Sequence, residues 1–297
     1  MSWAEQIDLF AYTLLAALVA GAVCPLVGVF LLLRRTSFYG IALPQFATAG
    51  VVFGFAVLPW WIDHVGLGDL DLDTALSDSH AAMNYHVTWA AIFTFGGLLA
   101  LTWMGRRGIG TEIGRVAAAF AIASAATILF GQLSPMGTSF VIELVYGEIL
   151  IIGRHELETL AVVMLVTAGL FAWFNRDFLL ISYDRETARV LGKPVLAIEG
   201  LLTVLVGSTV ATGTMILGPT MLFGLLVLPP LAARRWARSM AGLYVLSVVF
   251  GLVAVVLGIL ASFQLDLPMG AAIVAAAALG LIPGLFLKGR SEARYAT

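Results

Sequence analysis

Leu9-Phe10-Ala11-Tyr12-Thr13-Leu14-Leu15-Ala16-Ala17-Leu18-Val19-Ala20-Gly21-Ala22-Val23-Cys24-Pro25-Leu26-Val27-Gly28-Val29-Phe30-Leu31-Leu32-Leu33-Arg34-Arg35 decides the fold class. The run from Leu9 to Leu33 carries no Asp, Glu, Lys or Arg and stops on two arginines. A bilayer-spanning helix needs about 20 predominantly apolar residues, and this run supplies them. It is longer than the apolar part of a signal peptide and reaches Arg34 without a small-residue cleavage site, so it reads as a helix of the folded protein. Cys24, inside the run, is the single cysteine, so no intrachain disulfide can form.

The same pattern recurs along the chain. Of 297 residues, 61% are hydrophobic and 11% charged, with mean hydropathy +1.00, whereas a soluble domain carries about 25% charged residues. A net charge of −2 provides no general attraction for nucleic acid. Fifteen of the sixteen basic residues fall in five blocks: Arg34-Arg35, Arg106-Arg107-Arg115, Arg176 to Lys193, Arg234-Arg235-Arg238 and Lys288-Arg290-Arg294. Acidic residues dominate the segments between them: Asp63, Asp69, Asp71, Asp73 and Asp78; Glu143, Glu148, Glu156 and Glu158; Asp266. Basic loops stay in the cytoplasm, so the blocks are expected inside and the acidic loops outside.

Successive inside blocks require an even number of crossings, and each interval has room for two. The expectation is an all-α polytopic membrane protein of about nine transmembrane helices, amino terminus outside and carboxyl terminus cytoplasmic. The expected spans are 9–33, 39–62, 87–105, 116–133, 157–174, 195–212, 215–233, 243–263 and 269–287. They form one transmembrane domain over 1–297, with an acidic outer loop at 61–86, an inside segment at 175–194 and a cytoplasmic tail at 288–297. In the run from Pro194 to Ala233, Glu199 is the only charge. One helix of that length would be about twice the bilayer core, so the run is expected to divide near Ala211-Thr212-Gly213. Glu199 then lies close enough to the inner surface for its carboxylate to reach water. Gly21, Gly28, Gly50, Gly54, Gly213, Gly218 and Gly224 let helices approach closely.

The segment 175–194 differs from the other inside loops. Ser182 or Asp184 can cap a short helix, Glu186 falls in its first turn, Arg189 near its end, and Gly192 with Pro194 stops it. Thr187, Ala188 and Leu191 give it an apolar edge that can dock into a groove on a soluble partner or lie on lipid.

Leu179-Leu180-Ile181-Ser182-Tyr183-Asp184, followed by Ala188 and Leu191-Gly192, resembles the coupling segment of the permease subunits of metal-ion ABC importers, the ABC-3 type family. The resemblance extends to Gly21 through Arg35 (first helix), Ser37-Phe38-Tyr39-Gly40 (start of the second) and Glu112-Ile113-Gly114 (before the fourth). It continues through Val145-Tyr146-Gly147-Glu148-Ile149-Leu150 and through Gly218, Leu225-Leu226-Val227-Leu228-Pro229 and Ala233-Arg234 to Ala237-Arg238-Ser239. It implies a type II ABC importer permease that transmits ATP-driven motion through Ser182, Tyr183, Asp184, Glu186, Ala188, Leu191 and Gly192. It also implies a homodimer in the bacterial plasma (inner) membrane, an ATP-binding ABC subunit using ATP and Mg, and an extracytoplasmic substrate-binding protein. The cargo would be a divalent metal: zinc, manganese or iron, or a metal chelate. The chain has no Gly-x-x-x-x-Gly-Lys-Ser/Thr loop, so ATP hydrolysis is expected on a partner chain.

The family places Asp and His four residues apart at the start of the second helix, on one helix face. Here those positions are Ile41 and Gln45, within Gly40-Ile41-Ala42-Leu43-Pro44-Gln45. Gln45 keeps one neutral oxygen, a poor replacement for a carboxylate and an imidazole toward a dehydrated divalent cation. Pro44 removes a backbone donor and is expected to open the helix. The outer loop offers other ligands: His64, Asp69, Asp71, Asp73, His80 and His86, as imidazole and carboxylate suit zinc or manganese. Glu143 and Glu148 are vestibule candidates on the next outer loop. No catalytic residues are expected. The alternative, a secondary transporter driven by an ion gradient, calls for broken helices and an ionisable residue near the midplane. An intramembrane hydrolase would need a buried nucleophile–base pair, and neither signature stands out.

Overall fold

Helices that are apolar all round have no face to offer water and find their solvent in lipid or in one another. The computed structural model of the chain, which describes residues 10–34, 39–64, 83–134 and 152–282, is built from such helices with two short polar ones among them. In order these are α1 (Ala11–Leu33), α2 (Tyr39–His64), α3 (Met83–Arg106), α4 (Glu112–Leu133), α5 (Arg154–Trp173), α6 (Asn175–Tyr183), α7 (Arg185–Val190), α8 (Val195–Leu217), α9 (Pro219–Trp236), α10 (Met240–Leu265) and α11 (Met269–Leu279). No strand occurs among the described residues. Polar residues are placed where the helices begin. Thr111 Oγ1 accepts the Gly114 N–H at the start of α4, Ser239 Oγ accepts the Gly242 N–H at the start of α10, and Glu156 accepts the Gly153 N–H ahead of α5.

Seven helices, α1 to α5, α8 and α10, are long and apolar enough to cross a membrane. The other two expected crossings coincide with α9, which carries Pro229, Pro230, Arg234 and Arg235, and with α11, an apolar helix of 11 residues. The division between the sixth and seventh spans falls elsewhere than the sequence suggested. Ala211, Thr212 and Gly213 are continuous helix, and the chain breaks at Gly218, where φ is +79°, before Pro219 starts α9. A positive φ costs glycine least, and proline in a first helical turn lacks only a donor that would have no partner. Gly213 has a packing role instead, since a Cβ there would lie 2.7 Å from Leu222 Cδ1.

The helices divide into an interior set and an outer set. Within the membrane-length windows, 67% of α1 and of α2 is buried, against 28% of α3 and α4 and 22% of α5. α1 packs against α5, α9 and α10, while α8 packs against α2, α3 and α5. Exposed apolar side chains on the outer set, such as Leu99, Ile128, Leu165 and Val245, face where lipid would lie.

Candidate coupling site and translocation groove

α6 and α7 form the elbow between α5 and α8. Phe178 and Ile181 turn the apolar side of α6 inward. Phe178 packs edge-on against Phe30 of α1 and Phe171 of α5, and those two rings stack at 4.7 Å. On the other side Asn175 Oδ1 accepts the Tyr244 hydroxyl of α10 at 2.8 Å, and the Tyr183 hydroxyl reaches Met240 Sδ at 3.4 Å. Thus α6 is held to α1, α5 and α10 together.

The cap of α7 is Asp184, not Ser182. Asp184 accepts the Thr187 N–H at 2.9 Å and the Thr187 hydroxyl at 2.5 Å, while the Ser182 hydroxyl donates back to the Phe178 carbonyl. The Thr187 hydroxyl first, and the Thr187 amide with it, hold the Asp184 carboxyl below its ordinary value of 3.8. Arg189 closes on Glu186 at 2.6 Å, and Gly192 ends the segment at φ +71° while the Lys193 N–H returns to the Ala188 carbonyl. Of the expected apolar edge, Ala188 is 0% exposed and faces the protein. The apolar groups that α7 and the following turn present outward are Val190, 87% exposed, and Leu191, 63% exposed. In a helix this short, the one small residue faces the neighbouring helices.

Glu199 also differs from expectation. Its side chain is 16% exposed, and both oxygens are taken: Arg34 Nη2 reaches Oε1 at 3.0 Å, and Arg185 Nη2 reaches Oε2 at 2.7 Å. One carboxylate therefore joins the end of α1, the start of α7 and the second turn of α8. Lys193 to Asp177, at 2.8 Å, ties the far end of the elbow back to α6. The sequence held a signal for this arrangement, because the sole acid of a forty-residue run lies on the same side as two basic blocks.

The two departed positions lie in a different environment. Ile41 lines a groove of about 220 Å³ with Gly28, Leu31 and Leu32 of α1 and Phe223, Leu226, Val227 and Leu231 of α9. Gly28 permits the close crossing there, since a Cβ would collide with the Leu226 carbonyl. Gln45, one turn further along α2, is half-buried. α2 passes through Pro44 without breaking, and the Thr48 hydroxyl donates to the Pro44 carbonyl at 2.9 Å. The expected opening at Pro44 does not occur.

The family model described as "ABC 3 transport family" matches residues 6–70 and 71–288. The chain belongs to the ABC 3 transport family. Among similar curated relatives, the Bacillus subtilis manganese transport system membrane protein MntC is 26% identical over 262 residues, covering 84% of this chain and 54% of MntC. The chain thus spans about half the length of that relative. The Yersinia pestis chelated iron transport system membrane protein YfeD is 24% identical over 286 residues, covering 93% of this chain and 86% of YfeD. Among solved structures, PsaBC from Streptococcus pneumoniae in complex with Fab superposes with a TM-score of 0.77 at 21% identity, covering 99% of this chain and 98% of that one. This is a multi-pass membrane protein of the ABC 3 transport family, and the superposition shows that it has the same fold.

Of the outer-loop candidates, only His64 and His86 lie among the described residues. Asp69, Asp71, Asp73, His80, Glu143 and Glu148 lie outside the described residues of this ABC 3 protein. His64 is exposed at the end of α2, stacked on Trp60 with Nδ1 3.0 Å from the Trp60 carbonyl. His86 is not in a loop. α3 begins at Met83, and His86 is fully buried with its ring stacked 3.7 Å from Phe55. Among the described residues no group of three His, Cys, Asp or Glu side chains could hold a metal.

Proposed function

We propose that this chain is the permease subunit of an ATP-driven importer of a divalent metal, zinc, manganese or iron, or of a chelate of one. The observation that carries the reading is the elbow between α5 and α8. A capped helix there is braced at both ends by ion pairs yet leaves Val190 and Leu191 bare. Exposed apolar side chains on a rigid, ion-paired support suit a groove on a soluble partner, and that partner is an ATP-binding subunit that hydrolyses ATP with Mg. The names of MntC and YfeD support a metal or metal chelate as cargo. A second copy of the chain completes the central path, and an extracytoplasmic binding protein delivers the cargo. The protein lies in the bacterial inner membrane with nine crossings, its amino terminus outside and its carboxyl terminus in the cytoplasm. Ser182, Tyr183, Asp184, Glu186, Ala188, Leu191 and Gly192 form the transmission. Ile41 and Gln45 lie beside the path, and Glu143, Glu148 and the Asp/His loop meet the ion outside.

The test is copurification from membranes with the ATP-binding subunit. Val190→Glu with Leu191→Glu should abolish the association while the permease still inserts, whereas unchanged association would remove α7 as the docking element. In a Cys24→Ala background, a cysteine replacing Ser77 should react with an impermeant reagent from outside and one replacing Lys193 should not. The reverse pattern would overturn the orientation.

A further inference from the structure

We infer that Glu199 is a positioning residue that transmits displacement of α7 to α1 and, through α1, to the groove beside Ile41. The inference rests on the permease reading. Arg185 is the first residue of α7, and Arg34 directly follows α1. The two guanidinium groups bind separate oxygens of the same carboxylate, so neither can move along its ion pair without moving or releasing Glu199. Ion pairs to arginine are directional as well as electrostatic, and this one is mostly withdrawn from water. α1 is well suited to receive the displacement. Its last turns carry Gly28, Leu31 and Leu32, which line the groove opposite Ile41, and Phe30, which packs edge-on against Phe178 of the elbow. The backbone contact at Gly28 then couples α1 to α9 across the same groove. Two links thus join the elbow to α1: an aromatic one through α6 that holds it in place, and a charged one through Glu199 that can carry displacement of α7.

A physical connection is evidence of coupling only if perturbing one end alters the other. The chain is therefore assembled with its ATP-binding subunit in proteoliposomes, and ATP hydrolysis and uptake of manganese, or of zinc in a parallel arm, are measured together. The variants are Glu199→Gln, Arg34→Gln, Arg34→Lys and Glu199→Gln combined with Arg34→Gln, each checked for insertion and for retention of the ATPase. Glu199→Gln and Arg34→Gln should each lower metal moved per ATP by at least about fivefold while hydrolysis continues. The double variant should be no worse than Glu199→Gln alone, and Arg34→Lys should restore much of the ratio. A loss common to folding would instead reduce assembly and would not be rescued by lysine. A coupled wild-type complex whose ratio is unchanged in Glu199→Gln and Arg34→Gln overturns the inference and leaves the permease reading standing. A wild-type complex with no ATP-dependent uptake of either metal overturns both.

Discussion

The elbow at 174–195 and the start of α2 show opposite ways of using a polar residue near a membrane. In the elbow Asp177, Asp184 and Glu186 each have a specific partner, Glu199 of α8 holds Arg185 from outside it, and the result is a short helix fixed at both ends. At the start of α2 stand Ile41 and Gln45, where the family resemblance leads one to expect Asp and His, and the surroundings of Ile41 are apolar throughout. Rigid polar bracing suits an element that must transmit force to a soluble partner, because ion pairs and caps specify one geometry. An apolar groove specifies little except the exclusion of bare charge, which costs several kcal/mol to bury without a partner.

Changing the groove should have the largest effect. Gly28→Leu forces a branched side chain against the Leu226 backbone, and is expected at or above the upper end of the about 1–3 kcal/mol that overpacking costs. Thermal unfolding in detergent should show a reduced Tm, and an unchanged Tm would mean that α1 and α9 do not cross so closely. Ile41→Asp combined with Gln45→His restores the family pair on one helix face. Near a helix end the Asp should cost less than the about 2.5–3.5 kcal/mol measured at a helix centre. The stability of this variant should rise on adding zinc or manganese, and a Tm indifferent to both metals would remove these positions from the path.

Changing the elbow should have smaller effects on stability. Gly192→Ala places a Cβ at φ +71° and should cost about 1–2 kcal/mol locally. Amide exchange at 185–191 should quicken while exchange within α1 is unchanged. The smallest effect concerns pH. Because the folded Asp184 carboxyl titrates below its ordinary value of 3.8, its contribution is complete above that value and is lost only as pH falls through the lowered one. Protection factors in α7, which correct for the pH dependence of intrinsic amide exchange, should therefore be the same at pH 7 and pH 5, and lowered protection at pH 5 would contradict the Asp184 cap.

Much of this was legible from the order of residues. Uncharged runs of membrane length identified helices, and the elbow was readable because capping acts within a few residues: Glu186, Arg189 and Gly192 all act where local rules put them. Where two local signals competed, burial and geometry decided. Ser182 and Asp184 were both possible caps, and only Asp184 has the extended backbone that lets a side chain reach the amide three residues on. His86 read as a loop ligand because it follows an acidic stretch, yet α3 begins at Met83 and encloses it.

By itself the sequence determined the solvent, the helical class and the capped elbow, because hydropathy, charge placement and capping depend on neighbours along the chain. Only the tertiary structure decided that Arg34, Arg185 and Glu199 meet, that Ala188 faces inward, and that Ile41 looks onto α1 and α9. The separation of 165 residues between Arg34 and Glu199 is the physical reason. Coulomb attraction acts through space, and no periodicity or local propensity records which distant charge a folded helix will bring within 3.0 Å.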